Sequence, residues 1–318
     1  MSSERWLITG ALGCVGASCC RQLVREGHEV VGLDLGSDRR RVELIMSGDE
    51  VAAVEFVQGD ITDLASLERL MEARQVVHVI HLAAMLIPLA AADPPRGALV
   101  NVVGTVNVFE AARRCGLAGL SYASSAAVYD RSDGVHVAED ADGHPVSHYG
   151  VHKQANEGAA RVYWRDGGLA SVGLRPHVVY GPGRDHGLTA GPTLAMLAAA
   201  RGEAYEIPFG GRAQFQYATD VAAQFIDAAR AASTDAVVRN VGGPSEHVAD
   251  VVAAIEAALP EAAGRITLKE EVLLPLPDDM EGSQPQVTPL RQGVRETIEV
   301  FRRTAEPSAV APRAGGEE

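Results

Sequence analysis

The chain has 318 residues, 47% of them hydrophobic, which is enough for one large α/β unit or two smaller lobes. Its formal charge of −14 argues against nucleic acid or an anionic membrane surface as a partner, because both select a basic face. Four cysteines (Cys14, Cys19, Cys20, Cys115) in no Cys-x-x-Cys or Cys/His spacing exclude a disulfide framework and leave no metal site to expect.

MSSERWLITG at the start lacks the layout of a signal peptide. The longest apolar stretch (76–92) is interrupted by two His and a Pro, too broken for a membrane span. A cytoplasmic, reducing location is the expectation. RWLIT (5–9) predicts a strand and 14–26 a helix. HEVVGLD (28–34) and VEFVQGD (54–60) predict strands, each followed by a helical stretch. A buried strand is expected over 76–84, a helix over 97–115, a strand over 120–125, a helix over 147–166 and a strand over 170–176. Continuous apolar strands separated by helices of ten or more residues imply a doubly wound parallel sheet, a Rossmann-type α/β fold. After Pro176 the rhythm loosens, with Gly and Pro clustered at 181–192 and 208–211. A helix over 219–232, a strand over 236–241 and a helix over 248–258 follow. The division expected is a nucleotide-binding domain over 1–176, completed by about 218–242. A smaller α/β substrate lobe takes 177–217 and 243–304, and a disordered tail takes 305–318.

TGALGCVG (9–16) follows the first strand and opens a helix. Gly10 allows a tight turn, Gly13 lets backbone approach a diphosphate, and Gly16 lets the helix pack close to the sheet. Asp34 ends the second strand, where a carboxylate accepts hydrogen bonds from the adenosine ribose diol and repels a 2′-phosphate. That points to NAD, with Arg39, Arg40 and Arg41 as a counter-signal for NADP. SHYGVHK (147–153) places Tyr149 and Lys153 at i and i+4, on one helix face. Only two of the chain's 28 Lys+Arg residues are lysines, Lys153 and Lys269, so a lysine here is conspicuous. A tyrosine ordinarily titrates near 10. An ammonium and an oxidised nicotinamide close by would lower it, and about 3 units of lowering corresponds to about 4 kcal/mol. Tyr149 would then accept a proton from a substrate hydroxyl as hydride leaves for the nicotinamide.

TGALGCVG, Asp34, GDITD (59–63), HLAA (81–84), NVVGTVNVFEAA (101–112), SSAAVY (124–129), YGVHK (149–153) and LRPHVVYGPG (174–183) recur in the order of one family. The chain resembles the extended short-chain dehydrogenase/reductases, the NAD-dependent epimerase/dehydratase family, over about residues 5–245. The resemblance implies that Ser125, Tyr149 and Lys153 are catalytic. It places NAD against the loop of Gly10, Gly13, Cys14, Val15 and Gly16, with Asp34 at the ribose and Asp60 and Ile61 at the adenine. Leu82, Ala83 and Ala84 line the cofactor, as do Tyr149 and Lys153, and Asn101 supports the sheet and an active-site water. His177 lies where the chain passes the nicotinamide carboxamide. A homodimer through the helices at 97–115 and 147–166 is also implied.

Several departures bear on the substrate. Ala126 and Ala127 stand where sugar dehydratases carry an Asp-Glu pair, so water elimination lacks its acid and base. Val178 replaces an Asn that contacts a nucleotide diphosphate. Ala213-Gln214-Phe215 replaces Arg-Asp-Phe, with Arg212 one position off, and a helix carrying a phosphate-binding Arg is missing before the C-terminal helix. Arg184, with Asp185 and His186 beside it, and Arg212 are the candidate substrate contacts. A helix starting within Thr189–Thr193 is a candidate anion site, and His148 and His177 flank the site. The function implied is NAD-dependent hydride transfer at a secondary hydroxyl or ketone of a sugar, sugar acid or small hydroxy-carbonyl compound. The alternative is a UDP-sugar 4-epimerase that retains its NAD.

Overall fold

The computed structural model describes residues 3–283 and 287–305. Seven strands form one parallel sheet: β1 (Arg5–Thr9), β2 (Glu29–Asp34), β3 (Val54–Gln58), β4 (His78–His81), β5 (Gly119–Ala123), β6 (Ala170–Arg175) and β7 (Ala236–Asn240). Their order is β7-β6-β5-β4-β1-β2-β3, a doubly wound arrangement that reverses at β1. Alternation along each strand feeds two cores. Trp6, Ile8, Val30 and Ile80 pack on one face, and Leu7, Val31 and Val79 on the other. Helix α1 (Cys14–Arg25) joins the first core. Helices α2 (Leu64–Ala73), α3 (Gly104–Arg114) and α4 (His148–Gly167) cover the opposite face. Ser147 caps α4 by accepting the Gly150 N–H at 3.1 Å, and Gly168, at φ 67°, ends it in the left-handed region.

Beyond β6, helix α5 (Gly191–Ala200) opens a second lobe. Helix α6 (Ala218–Ala231) returns to pack on α1, and α7 (Val248–Ala258) and α8 (Leu290–Ala305) follow. The lobe carries a three-stranded sheet of Val178–Tyr180, Arg212–Tyr217 and Ser245–His247, and a short pair of Tyr205–Ile207 with Ile266–Leu268. A two-residue pair, His136–Val137 with Asp279–Met280, ties the segment after residue 270 back across the lobe. Its core draws Tyr129, Val137 and Tyr149 from the chain before Pro176.

Some elements differ from the sequence expectation. The strand expected over 76–84 ends at His81: the Leu82 N–H still reaches the Thr9 carbonyl at 3.1 Å, but the Ala83 N–H turns to the Thr9 hydroxyl at 3.3 Å. The helix expected over 97–115 runs in three pieces, an α-helical turn Pro94–Ala98, a wide turn Leu99–Val103, and α3. Between α7 and α8 no α-helix occurs among the described residues, as the sequence departure suggested. The tail expected over 305–318 lies, beyond Ala305, outside the described residues.

Candidate active site

The carboxyl ends of β1, β2, β4 and β5 border one cavity of about 420 Å³. Gly10, Gly13, Cys14, Val15 and Gly16 line one wall, with Asp34, Asp60, Ile61, Leu82, Ala83 and Ala84 around them. Gly10 sits at φ +72°, and a Cβ there would lie 2.8 Å from the Ala83 nitrogen. A Cβ on Gly16 would press into the Gly10 carbonyl oxygen. Helix α1 starts without a side-chain cap, so its first N–H groups remain for an anion. Asp34 accepts the Leu12 N–H at 3.0 Å and the Gly36 N–H at 3.2 Å. An uncapped helix end beside a carboxylate fits the diphosphate and ribose diol of NAD. The three neighbouring arginines are engaged. Arg39 stacks on Phe56 at 4.6 Å, Arg40 pairs with Asp38 at 3.1 Å, and Arg41 pairs with Asp185 at 2.9 Å. Burial pushes the Cys14 thiol up to about 11 and its Sγ donates to the Pro182 carbonyl at 3.4 Å, so it packs as a thiol.

At the other end of the cavity stand Ser124, Ser125 and Tyr149. The Ser125 hydroxyl accepts the Ala127 N–H at 3.1 Å and favours the ionised form of the Tyr149 phenol across the cavity end. Lys153 is buried one turn further along α4, its Nζ 5.3 Å from the Tyr149 ring centre and donating to the Ala123 carbonyl at 2.7 Å. The helix therefore brings the predicted trio together. Burial drives the Lys153 ammonium down to about 8, with the Glu157 carboxylate opposing. Burial also holds the Tyr149 phenol above its usual range, outweighing the Arg184 charge and the nearby Ser125 hydroxyl. The protein's own groups thus do not lower Tyr149, contrary to the share expected of Lys153.

Two buried networks behind this wall were missed by sequence reasoning. In the first, Thr9 Oγ1 receives the Leu82 and Ala83 N–H groups and meets His81 Nδ1 at 2.7 Å. His81 Nε2 meets Thr105 Oγ1 at 2.9 Å, and Thr105 donates to the Asn101 carbonyl at 2.8 Å. Every polarity in this chain follows. Thr9 donates to Nδ1, and Nε2 carries the proton. Burial keeps His81 neutral by lowering it to about 3. In the second, Glu157, two turns beyond Tyr149, accepts from Ser124 at 2.5 Å and pairs with both Arg175 Nε and Nη2 at 2.7 Å. Arg175 also donates to the Tyr129 hydroxyl at 2.5 Å. The signal for Glu157 was its i+8 spacing from Tyr149. That spacing names a face of the helix without naming a partner.

Asn101 is buried and does not line the cavity. It grips Met85, accepting its N–H at 2.7 Å and donating to its carbonyl at 2.9 Å. His177 lines the cavity, where burial lowers it to about 4 and its Nε2 donates to the Pro277 carbonyl at 2.9 Å. His148 is exposed and does not line the cavity. Arg184, Asp185 and His186 do line it, although Asp185 and His186 turn toward Arg41. Arg212 is exposed, bonded to the Ser245 carbonyl, and lies outside the cavity wall. Helix α5 begins at Gly191, but none of residues 189–193 lines the cavity, and the Thr193 hydroxyl is taken by the Gly181 N–H at 3.2 Å.

The NAD dependent epimerase/dehydratase family model matches residues 6–242. The chain is 32% identical over 321 residues to UDP-glucose 4-epimerase of Mycolicibacterium smegmatis, covering 94% of this chain and 98% of the relative. It is 36% identical over 182 residues to UDP-glucuronate 4-epimerase 2 of Arabidopsis thaliana, covering 55% of this chain and 42% of the relative. The crystal structure of Thermus thermophilus UDP-glucose 4-epimerase in complex with NAD superimposes with a TM-score of 0.78 at 26% identity, over 94% of this chain and 99% of that one.

Proposed function

Since the chain belongs to the NAD dependent epimerase/dehydratase family, we propose that Tyr149, Ser125 and Lys153 carry hydride transfer at a secondary carbinol or ketone of a sugar-like substrate. It is an NAD-dependent enzyme of the sugar epimerase/dehydratase type. The observation that carries the assignment of roles is that Ser125 and Tyr149 share the end of a cavity built by the glycine loop and Asp34, with Lys153 one helical turn away.

Bound NAD supplies the hydride acceptor and, when oxidised, a positive charge. Gly10, Gly13, Cys14, Val15 and Gly16 hold its diphosphate, Asp34 its ribose diol, Asp60 and Ile61 its adenine, and Leu82, Ala83 and Ala84 form the floor. Asn101 acts on that floor through Met85, and His177 contributes to the wall. Tyr149 Oη accepts the substrate hydroxyl proton. Ser125 donates to the same substrate oxygen and steadies its developing charge. Lys153 would hold the nicotinamide ribose, and Tyr149 would be drawn toward the phenolate that accepts the proton by the positive charge of oxidised NAD. Tyr149→Phe is expected to lower turnover by about 10³-fold while leaving NAD affinity unchanged, measured by steady-state assay and NAD titration. Unchanged turnover in that variant overturns the assignment.

A second reading, a UDP-sugar 4-epimerase, is favoured by the near-full-length likeness to the mycobacterial relative. An epimerase returns the hydride to the substrate and keeps its cofactor, so stoichiometric NAD(H) released on denaturing the purified protein supports it. Homodimer formation is supported by the exposed apolar residues Leu99, Val103, Val151 and Val162 on adjoining helical segments. A cytoplasmic location is supported by four free cysteines, three of them buried. Among the described residues no helix is long and apolar enough to cross a membrane.

A further inference from the structure

Three arginines line the cavity, and two are neutralised. Arg41 pairs with Asp185 at 2.9 Å and Arg96 with Asp60 at 3.4 Å. Arg184 has no carboxylate within ion-pairing distance among the described residues; its Nη2 donates to the Thr189 hydroxyl at 3.1 Å. Its Nε–H is buried and has no partner among the described residues. A buried donor of this kind normally finds an acceptor, and on a guanidinium that acceptor is best an anion. The guanidinium stands beside Gly187 and Leu86, and its charge acts on the Tyr149 phenol. The cavity is therefore polarised, with an unpaired carboxylate, Asp34, at the far end and an unpaired guanidinium by the reacting tyrosine.

The lobe next to Arg184 also limits what can enter. Segment 277–283 is fastened across it. The Pro277 carbonyl takes the His177 Nε2–H, and Asp278 pairs with Arg131 at 2.6 Å. Met280 exchanges two hydrogen bonds with Gln214, at 3.0 and 3.2 Å. A Cβ on Gly242 would press into the Gly282 backbone, and one on Gly282 into Asn240. Val178 is fully buried in the lobe's core. Among the described residues of the chain beyond Pro176, Phe225 apart, only residues 177–186 reach the cavity wall. About 420 Å³ is the scale of one ligand site.

We propose that Arg184 binds the carboxylate of a compact polyhydroxy acid, so that the substrate is a free sugar acid in place of a nucleotide sugar. This rests on the hydride-transfer reading above. A planar carboxylate matches the guanidinium fork, whereas a substrate diphosphate would call for more than one free cation. The substrate's carbinol C–H breaks with its electron pair passing to oxidised NAD, the O–H proton passes to Tyr149, and a C=O bond forms. The products are an oxo acid and NADH.

The test uses the full chain with NAD and a panel of aldonates and uronates of four to six carbons, the corresponding neutral aldoses, UDP-glucose and UDP-glucuronate. The expected result is saturable NAD reduction by at least one acid. Arg184→Gln should raise the KM for that acid by about 100-fold, with the NAD affinity and melting temperature unchanged, and Arg184→Lys should recover part of the loss. The proposal is overturned if no acid in the panel binds or reacts, or if neutral aldoses lose as much as acids in Arg184→Gln. It is also overturned if NAD affinity falls instead, which assigns the arginine to the cofactor diphosphate. Reaction with the UDP-sugars alone overturns it too, while leaving hydride transfer by Tyr149 intact. Activity retained by Tyr149→Phe on any substrate defeats the underlying reading separately.

Discussion

Lys153 shows how one side chain is placed against its own preference. It is fully buried, with the Ala123 carbonyl as its one hydrogen-bond partner among the described residues, and burial lowers it from lysine's ordinary 10.5 to about 8. Below pH 8 the folded and unfolded chains both hold the proton. Between about 8 and 10.5 the unfolded chain holds more, so stability rises with pH across that window. The buried charge costs about 3 kcal/mol at neutral pH, the equivalent of the shift. Lys153→Met is therefore expected to be more stable at pH 7 by a comparable amount, to lose the rise above pH 8, and to be inactive. Urea unfolding at a series of pH values measures this, and a less stable variant at pH 7 contradicts it. That Tyr149 and Lys153 share a face was legible in their spacing, because four residues make one helical turn. That burial raises one and lowers the other was not. The groups that act on the two, Ala123, Ser125 and Arg184, are brought in by other elements.

The helix that carries Tyr149 and Lys153 is also a strut. Through Glu157, α4 holds Ser124 at the end of β5 and Arg175 at the end of β6, so one carboxylate sets the distance between the tyrosine's helix and the serine's strand. Both partners are buried, so removing one strands a charge. Arg175→Leu is expected to cost about 3–5 kcal/mol. The double variant Arg175→Leu, Glu157→Leu should cost markedly less than the two single losses added, because an apolar pair needs no compensation. Denaturant melts of the four-member cycle test this, and additive losses count against it. The long elements were readable from apolar period and breakers. β1 runs over Arg5–Thr9 and α7 over Val248–Ala258, each as its pattern indicates. The three-residue strand Val178–Tyr180 was not, nor was Ser245–His247. Such strands are too short to show alternation. Their neighbours are fixed by distant side-chain bonds, such as Gln214 to Met280 and Gln216 to the His177 N–H.

Across the whole molecule, three cores divide the labour, two stacking helices on the faces of the parallel sheet and the third filling the second lobe. The surface over the second of these is apolar where the turn Leu99–Val103 and α4 lie side by side. Leu99 is 40% exposed, Val103 44%, Val151 50% and Val162 46%. A strip of that kind on a chain of charge −14 suits a second copy of itself. The protein is expected to sediment as a dimer, and Leu99→Glu with Val103→Glu should give monomers that keep their thermal stability. A monomeric parent protein refutes the assignment. The hydrogen-bond chain from Ala83 through Thr9, His81 and Thr105 to Asn101 has a different reach. Each group in it has one available role, so the floor of the cleft has one shape before anything binds. The ordering entropy of that floor is thus lost when the chain folds and not when the cofactor arrives. Affinity for the dinucleotide becomes a property stored in folding, and a variant that loosens His81 would show its defect as a more unfavourable entropy of binding with the enthalpy largely kept.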